Sequence, residues 1–185
     1  MYDASELRNG HFIEDKGKLL QVLNYHHNKT ARGSAVIKLK VKDVVNGSIT
    51  DLSARPGDKF KPGDISRNKY QYLYHEGEEY HFMNLNDYNQ VILGKDIIGE
   101  TTHFLTENLE CYIVFWGEKA VGISLPTSLN MKVAYTEPGI KGDTVSGATK
   151  IAKLETGYEV KVPLFVNTDD LIKVNTSSGE YLERA

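Results

Sequence analysis

Cysteine is almost absent from this chain. A single thiol, Cys111, among 185 residues leaves no intrachain disulfide possible. That fits a reducing compartment, and we expect a cytoplasmic protein. Long apolar runs are missing too: nothing approaches the roughly 18 residues a membrane-spanning helix requires, so no membrane partner is expected. The opening MYDASELRNG is acidic and polar where a secretory signal is basic and then apolar. No Gly-x-Ser-x-Gly elbow occurs, and Cys111 sits in the apolar stretch Glu110-Cys111-Tyr112-Ile113-Val114, where core packing is the expected role.

Metal and cofactor signals are equally scarce. The histidines are His11, His26, His27, His75, His81 and His103, and none pairs with Cys111 at a zinc-finger spacing. His26 and His27 point to opposite faces if they lie on a strand. The carboxylate pairs Glu78-Glu79 and Asp169-Asp170 read as turn or strand-end charges, with nothing nearby to tune one as a general acid. The glycine-rich run 138–150 offers backbone N–H groups to a phosphate, yet lacks the Gly-Lys-Ser/Thr ending of a P-loop, and on spacing alone a long surface loop between strands is the favoured reading. We therefore expect no catalytic residues, no metal and no cofactor.

What is present is a moderately polar, globular composition, 40% hydrophobic and 25% charged, with a mean hydropathy of -0.41. The net charge of -3 conceals a split. Residues 1–64 hold 11 of the 22 lysines and arginines but only 8 of the 25 acids, leaving the remainder with 11 and 17. Lys29, Arg32, Lys38, Lys40 and Lys42 form a basic run, and no acid interrupts residues 16–42. Such asymmetry points to one end meeting a polyanion, although an ordinary charged strand edge has the same appearance.

Short alternating segments and turn signals dominate the chain, so the fold class is all-β. Residues 11–27 read as two strands joined at Asp15-Lys16-Gly17. Strands over 33–44 and 48–53 meet at Asn46-Gly47, a dipeptide that supplies the positive φ of tight hairpins. A hairpin over 70–83 turns at Glu76-Gly77-Glu78, placing Tyr70, Tyr72 and Tyr74 on one strand face. Another over 111–125 turns at Gly117-Glu118, and short helices are expected near Asp3–Arg8 and Lys95–Leu105. Boundaries near Lys61-Pro62-Gly63-Asp64 and Leu125-Pro126-Thr127-Ser128 divide the chain into 1–64, 65–128 and 129–185, each the size of a small β-barrel. The loop Asn28–Ala35 joins two long strands and carries one long cation, Arg32, among small residues. A planar guanidinium suits RNA, bonding phosphate in a forked geometry and stacking on bases.

These residues, in order, resemble the bacterial elongation factor P family along essentially the whole chain. Ala4-Ser5-Glu6-Leu7-Arg8-Asn9-Gly10 is similar to the family's opening helix and turn, and Arg32 falls at its functional tip. Gln71-Tyr72-Leu73-Tyr74, Gly77-x-Glu79-Tyr80-x-Phe82-Met83 and Asp87-Tyr88 follow the second-domain pattern. Thr136-Glu137-Pro138-Gly139-x-Lys141-Gly142-Asp143-Thr144, Lys150-x-Ala152-x-Leu154-Glu155-Thr156-Gly157 and Val162-Pro163-Leu164-Phe165 follow the third, closed by Gly179-Glu180-Tyr181-x-x-Arg184.

The resemblance implies an SH3-like (KOW-type) domain followed by two OB-folds in an L-shaped, tRNA-like arrangement. It implies a monomeric, non-catalytic factor that binds the 70S ribosome between the P and E sites and relieves stalling at consecutive prolines. Its partners are P-site peptidyl-tRNA and ribosomal RNA. Arg32 is implied at the peptidyl-transferase centre, with Lys29, Lys38, Lys40 and Lys42 on RNA phosphates. Gly142, Asp143 and Thr144 are implied as a second contact loop, and Tyr181 and Arg184 as a tRNA-facing tail. Many relatives carry Pro-Gly and then lysine at the tip; Thr30-Ala31-Arg32 here resembles the arginine-bearing branch, which implies rhamnosylation of Arg32 by a dedicated glycosyltransferase. An unmodified arginine, or a specialised paralogue, is also compatible with that tip. Asp169 stands where the family's signature usually has glycine. A free-standing RNA-binding module, stacking bases on Tyr70, Tyr72 and Phe82, is the reading from another class.

Overall fold

The computed structural model describes residues 1–28, 36–139 and 147–185. Among them, β1 (Tyr2–Asp3), β2 (Phe12–Asp15), β3 (Lys18–Asn28), β4 (Val36–Asp43), β5 (Ile49–Ala54) and β6 (Lys59–Pro62) form one antiparallel sheet. Its order is β1-β6-β2-β3-β4-β5. A second sheet, ordered β11-β10-β7-β8-β9, contains β7 (Ile65–Glu76), β8 (Glu79–Asn84), β9 (Gln90–Gly94), β10 (Glu110–Trp116) and β11 (Lys119–Ser124). The third, ordered β14-β13-β12-β15-β16, contains β12 (Ser128–Thr136), β13 (Thr149–Leu154), β14 (Glu159–Pro163), β15 (Leu171–Asn175) and β16 (Tyr181–Arg184). By compactness the chain divides into two units, residues 1–68 with 113–122, and residues 69–112 with 123–185.

The helix expected near Asp3–Arg8 shrinks to a single turn, whereas the one expected near Lys95–Leu105 is helical over almost its whole length. Ala4–Glu6 is one 3-10 turn, started by a capping box: Asp3 Oδ1 accepts the Ser5 N–H at 2.9 Å, and Glu6 Oε2 accepts the Asp3 N–H at 2.8 Å. Lys95–Ile98 is a short α-helix, α1, continued as a 3-10 segment over Gly99–Phe104. No helix among the described residues is long and apolar enough to cross a membrane.

Period-2 alternation builds the first core. Along β4, Ile37, Leu39, Val41 and Asp43 are buried while Lys38, Lys40 and Lys42 are exposed. The apolar members join Ala4, Leu7, Ile13, Leu20, Val22 and Ala54 in one cluster. Each such burial is worth about 1.5–3 kcal/mol, enough to make the register of β4 unambiguous. In the same unit Leu19, Val114 and Val121 form a smaller cluster lined by Phe12, Val44, Ile65 and Trp116.

The expected tyrosine stripe on β7 is broken. Tyr70 and Tyr72 are buried, but the register shifts between Tyr72 and Tyr74, and Tyr74 emerges 51% exposed, stacked on His81. A β-bulge adds one residue, so every position beyond it changes face. The turn itself is as expected: Gly77 opens the two-residue connection with φ 60, a value its sequence position leaves to glycine.

The third sheet closes over Met131, Val133, Ala152, Leu154, Val160, Val162, Val166, Ile172 and Val174, with Phe104 packed against them. Phe104 meets Tyr158 edge-on at 5.3 Å, and Thr156 Oγ1 donates to the His103 carbonyl at 2.6 Å.

Candidate nucleic-acid interface

The β3–β4 hairpin carries the basic run. Its strands are registered through eight Cα pairs, from Leu20↔Asp43 to Asn28↔Val36. The hairpin is therefore held in register up to the two ends that residues 29–35 connect. Lys29 and Arg32 lie in that segment, outside the described residues, as do Gly142, Asp143 and Thr144.

Lys38, Lys40 and Lys42 project from alternate positions of β4, about 6.6–6.8 Å apart along the strand. Their neutralisation differs from that of other cations in the sheet. Lys59 pairs with Asp3 at 3.2 Å, Lys61 with Glu14 at 2.7 Å and Lys18 with Asp43 at 3.6 Å. Arg8 donates to the carbonyls of Ser5 and Leu7 and lies 5.3 Å above the Tyr25 ring. The three β4 lysines enter no ion pair among the described residues. On β3, His26 is registered with Lys38, Asn24 with Lys40 and Gln21 with Lys42, and on β5 Ser53, Asp51 and Ile49 stand opposite the same lysines.

Asn24, His26 and Asp51 belong to this face, yet sequence reasoning passed over them. The register shift between Val22 and Asn24 decides which β3 residues accompany the lysines, and no residue pattern announces it. The strand ends at Asp43 on the opposite, buried face, and its carboxylate accepts the N–H groups of Val45 and Asn46 at 3.0 and 3.3 Å and so closes the turn.

The described flank of the second expected loop is also fixed. Lys150 Nζ donates to the Glu137 carbonyl at 2.6 Å, and Thr136 Oγ1 donates to the Ile151 carbonyl at 2.9 Å. A Cβ on Gly139 would lie 2.7 Å from the Leu164 carbonyl oxygen, so the backbone approaches there as closely as only glycine allows. Of the expected tail, Tyr181 is half-buried against the third core, and Arg184 Nη2 reaches Asp170 Oδ1 at 2.9 Å while the side chain keeps 55% of its exposure.

Tyr70, Tyr72 and Phe82 are 7%, 4% and 0% exposed, so they offer no ring faces to bases. The aromatic-stacking module of another class loses its platform. Cys111 is buried, and burial pushes its thiol up to about 12, far from a nucleophilic thiolate. Among the described residues no group of three or more His, Cys, Asp or Glu is placed to hold a metal.

Comparison with known families decides the affiliation. Residues 3–60 match the elongation factor P KOW-like domain, 65–123 the elongation factor P OB domain, and 129–184 the elongation factor P C-terminal domain. Curated relatives named Elongation factor P, from Symbiobacterium thermophilum and Enterococcus faecalis, are 42% and 43% identical over 185 residues, all of both chains. The chain belongs to the elongation factor P family. A solved structure described as eukaryotic translation initiation factor 5A from Methanococcus jannaschii shares the fold. It is 20% identical at a TM-score of 0.53, covering 68% of this chain and 90% of that one. The fold is thus all-β, a KOW-like domain with OB domains, in a family of translation elongation factors. Asp169 occupies a position with a backbone preference of its own. Its φ is 70, a left-handed value that glycine adopts freely and that aspartate tolerates better than most side chains.

Proposed function

We propose that this chain binds the ribosome between the P and E sites and orders the P-site peptidyl-tRNA, so that peptide bonds between prolines form without stalling. The observation that carries this reading is the lysine column. Lys38, Lys40 and Lys42, alone among the described cations of their sheet's long hairpin in lacking an ion-pair partner, run along the strand that leads to Arg32. Unneutralised cations on a rigid strand suit tRNA and ribosomal RNA phosphates, and their contribution weakens with salt. Arg32 is the residue we assign to the peptidyl-transferase centre, and Lys29 is assigned with the β4 lysines to tRNA or ribosomal RNA phosphates. Gly142, Asp143 and Thr144 are assigned to a second ribosomal contact, and Tyr181 with the exposed part of Arg184 to a tRNA-facing tail. Three domains, 1–64, 65–128 and 129–185, are the proposed division, in a monomeric factor.

The mechanism is positional. Proline is a rigid, poor acceptor and donor, and a bound factor that orders the tRNA's CCA end restores reactive alignment without an acid or base of its own. The ribosome remains the catalyst.

The test is translation of a triproline reporter in a reconstituted system lacking such a factor. Protein from the native source relieves the stall, and Arg32→Ala binds ribosomes but does not. An intact mass above the sequence mass would then identify a tip modification installed by a glycosyltransferase. Full rescue by Arg32→Ala would refute the tip's role. Ribosome binding without rescue by native protein would turn the reading to a specialised factor serving particular messages.

A further inference from the structure

β12 contains an irregularity whose consequence is one outward tyrosine. Met131 and Val133 point into the third core, and strict alternation would send residue 135 after them. Instead the register against β13 shifts between Val133 and Tyr135, Ala134 and Tyr135 are both exposed, and Thr136 turns inward. Bulges of this kind re-aim a side chain, and Tyr135 ends 60% exposed, with no hydrogen bond or ring contact among the described residues.

Its surroundings are specific. Lys153 on β13 stands directly across from Tyr135, and Ile151, 49% exposed, stands across from Lys161 on β14. Three other cations of this sheet are neutralised, Lys132 by Asp169, Lys173 by Glu183 and Arg184 by Asp170, while Lys150 is tied to the Glu137 carbonyl. Lys153 and Lys161 enter no ion pair among the described residues, although Glu159 is registered with Lys153. By chain order β12, β13 and β14 are the first three strands of this OB-type unit, and the face of the second and third strands is where OB-folds take oligonucleotides.

We infer that Tyr135, Ile151, Lys153 and Lys161 form a binding face for single-stranded RNA. An exposed ring stacks on a base, and the two lysines beside it meet the phosphates of that strand. A protein partner would call for a larger apolar centre ringed by polar groups, whereas here two apolar side chains alternate with unpaired cations. The face is separate from the hairpin of Arg32, and its test needs no ribosome, so either reading can fail without the other.

The experiment is fluorescence anisotropy of the full chain with a labelled oligouridine RNA of about ten nucleotides, within the about 4–16 that one OB fold covers. Tyr135→Ala weakens binding by about fivefold to a hundredfold, the range of one lost base stack. Lys153→Gln with Lys161→Gln lowers the slope of log affinity against log salt by about 1.4, from two phosphate contacts on a single strand. Lys153→Arg with Lys161→Arg restores it. Ultraviolet cross-linking labels the tryptic peptide 133–141, also in the Lys38→Gln, Lys40→Gln, Lys42→Gln variant. Tyr135 and both lysines are surface residues, so melting temperatures stay unchanged and folding is not the explanation. Undiminished binding by Tyr135→Ala and by the lysine pair would overturn the inference. So would absence of oligouridine binding at low salt, including the case in which an acidic polypeptide binds through the same residues instead.

Discussion

The two faces of β4 make opposite predictions for neighbouring residues. Leu39 is fully buried among Leu20, Val22, Ile37 and Val41, whereas Lys40, the next residue, is exposed and unpaired. Leu39→Ala removes buried methyl groups and leaves a cavity, at a cost of about 2–5 kcal/mol, against a total stability of about 5–15 kcal/mol. With a urea dependence of about 2 kcal/mol per molar, the unfolding midpoint falls by about 1–2.5 M. Lys40→Gln moves the same midpoint by no more than about 0.25 M, since exposed substitutions stay within about 0.5 kcal/mol. The assay is urea unfolding followed by Trp116, the only tryptophan, which lies in the same compact unit. Ribosome binding inverts the ranking. Lys40→Gln lowers the salt slope of affinity by about 0.7–0.9, one phosphate contact, and Leu39→Ala leaves the slope unchanged while it remains folded. A Lys40→Gln variant as unstable as Leu39→Ala, or one with an unaltered slope, would refute the division of β4 into a packing face and a phosphate face.

Acid should disturb the Glu14 site. The Lys61 ammonium, then the Trp116 indole N–H, hold its carboxyl below the ordinary 4.5. The stability it contributes is therefore complete above pH 4.5 and is lost as pH falls through the lower folded-state value. Trp116 emission against pH should show this step in the wild type and lose it in Glu14→Gln. At position 169, Asp169→Gly should leave the melting temperature nearly unchanged, because relief of the left-handed backbone offsets the loss of an exposed pair with Lys132. Asp169→Val should lower it, a β-branched residue being strained there by about 1–2 kcal/mol, and equal melting temperatures for all three would sink the backbone argument. Cys111, buried and with its thiol pushed up to about 12, should resist a thiol reagent at pH 8 until denaturant is added; rapid labelling of native protein would contradict that burial.

The fold was legible where period and turn chemistry agree. Asp15-Lys16-Gly17, Asn46-Gly47, Gly77-Glu78 and Gly117-Glu118 all lie between paired strands, because a turn residue's conformational preference is local and survives without knowledge of partners. Residues shifted by bulges were not legible. Tyr74 was expected beside Tyr72 and Tyr135 was not singled out, since a bulge is a property of two strands together while alternation is a property of one. The site shows the same contrast. Lys38, Lys40 and Lys42 could be read as a basic run from spacing alone. That Lys61 and Arg8 are tied down, leaving the β4 lysines unneutralised, depends on contacts with Glu14 and Ser5 made in three dimensions.

The positional role proposed for this chain would place a strict demand on the β3–β4 hairpin. Because side chains alternate with a period of two, a slip of β4 by one residue would bury Lys38, Lys40 and Lys42 and expose Ile37, Leu39 and Val41. The apolar burial that fixes the register thus also fixes which way the cations face and where the strand ends meet, at Asn28 and Val36. Stability and alignment are in this way set by one pattern of residues. A core substitution that preserves register should cost stability while sparing the function proposed for the chain. One that permits register exchange should cost function out of proportion to its effect on stability, because a misregistered hairpin presents neither the lysines nor the tip at the correct place.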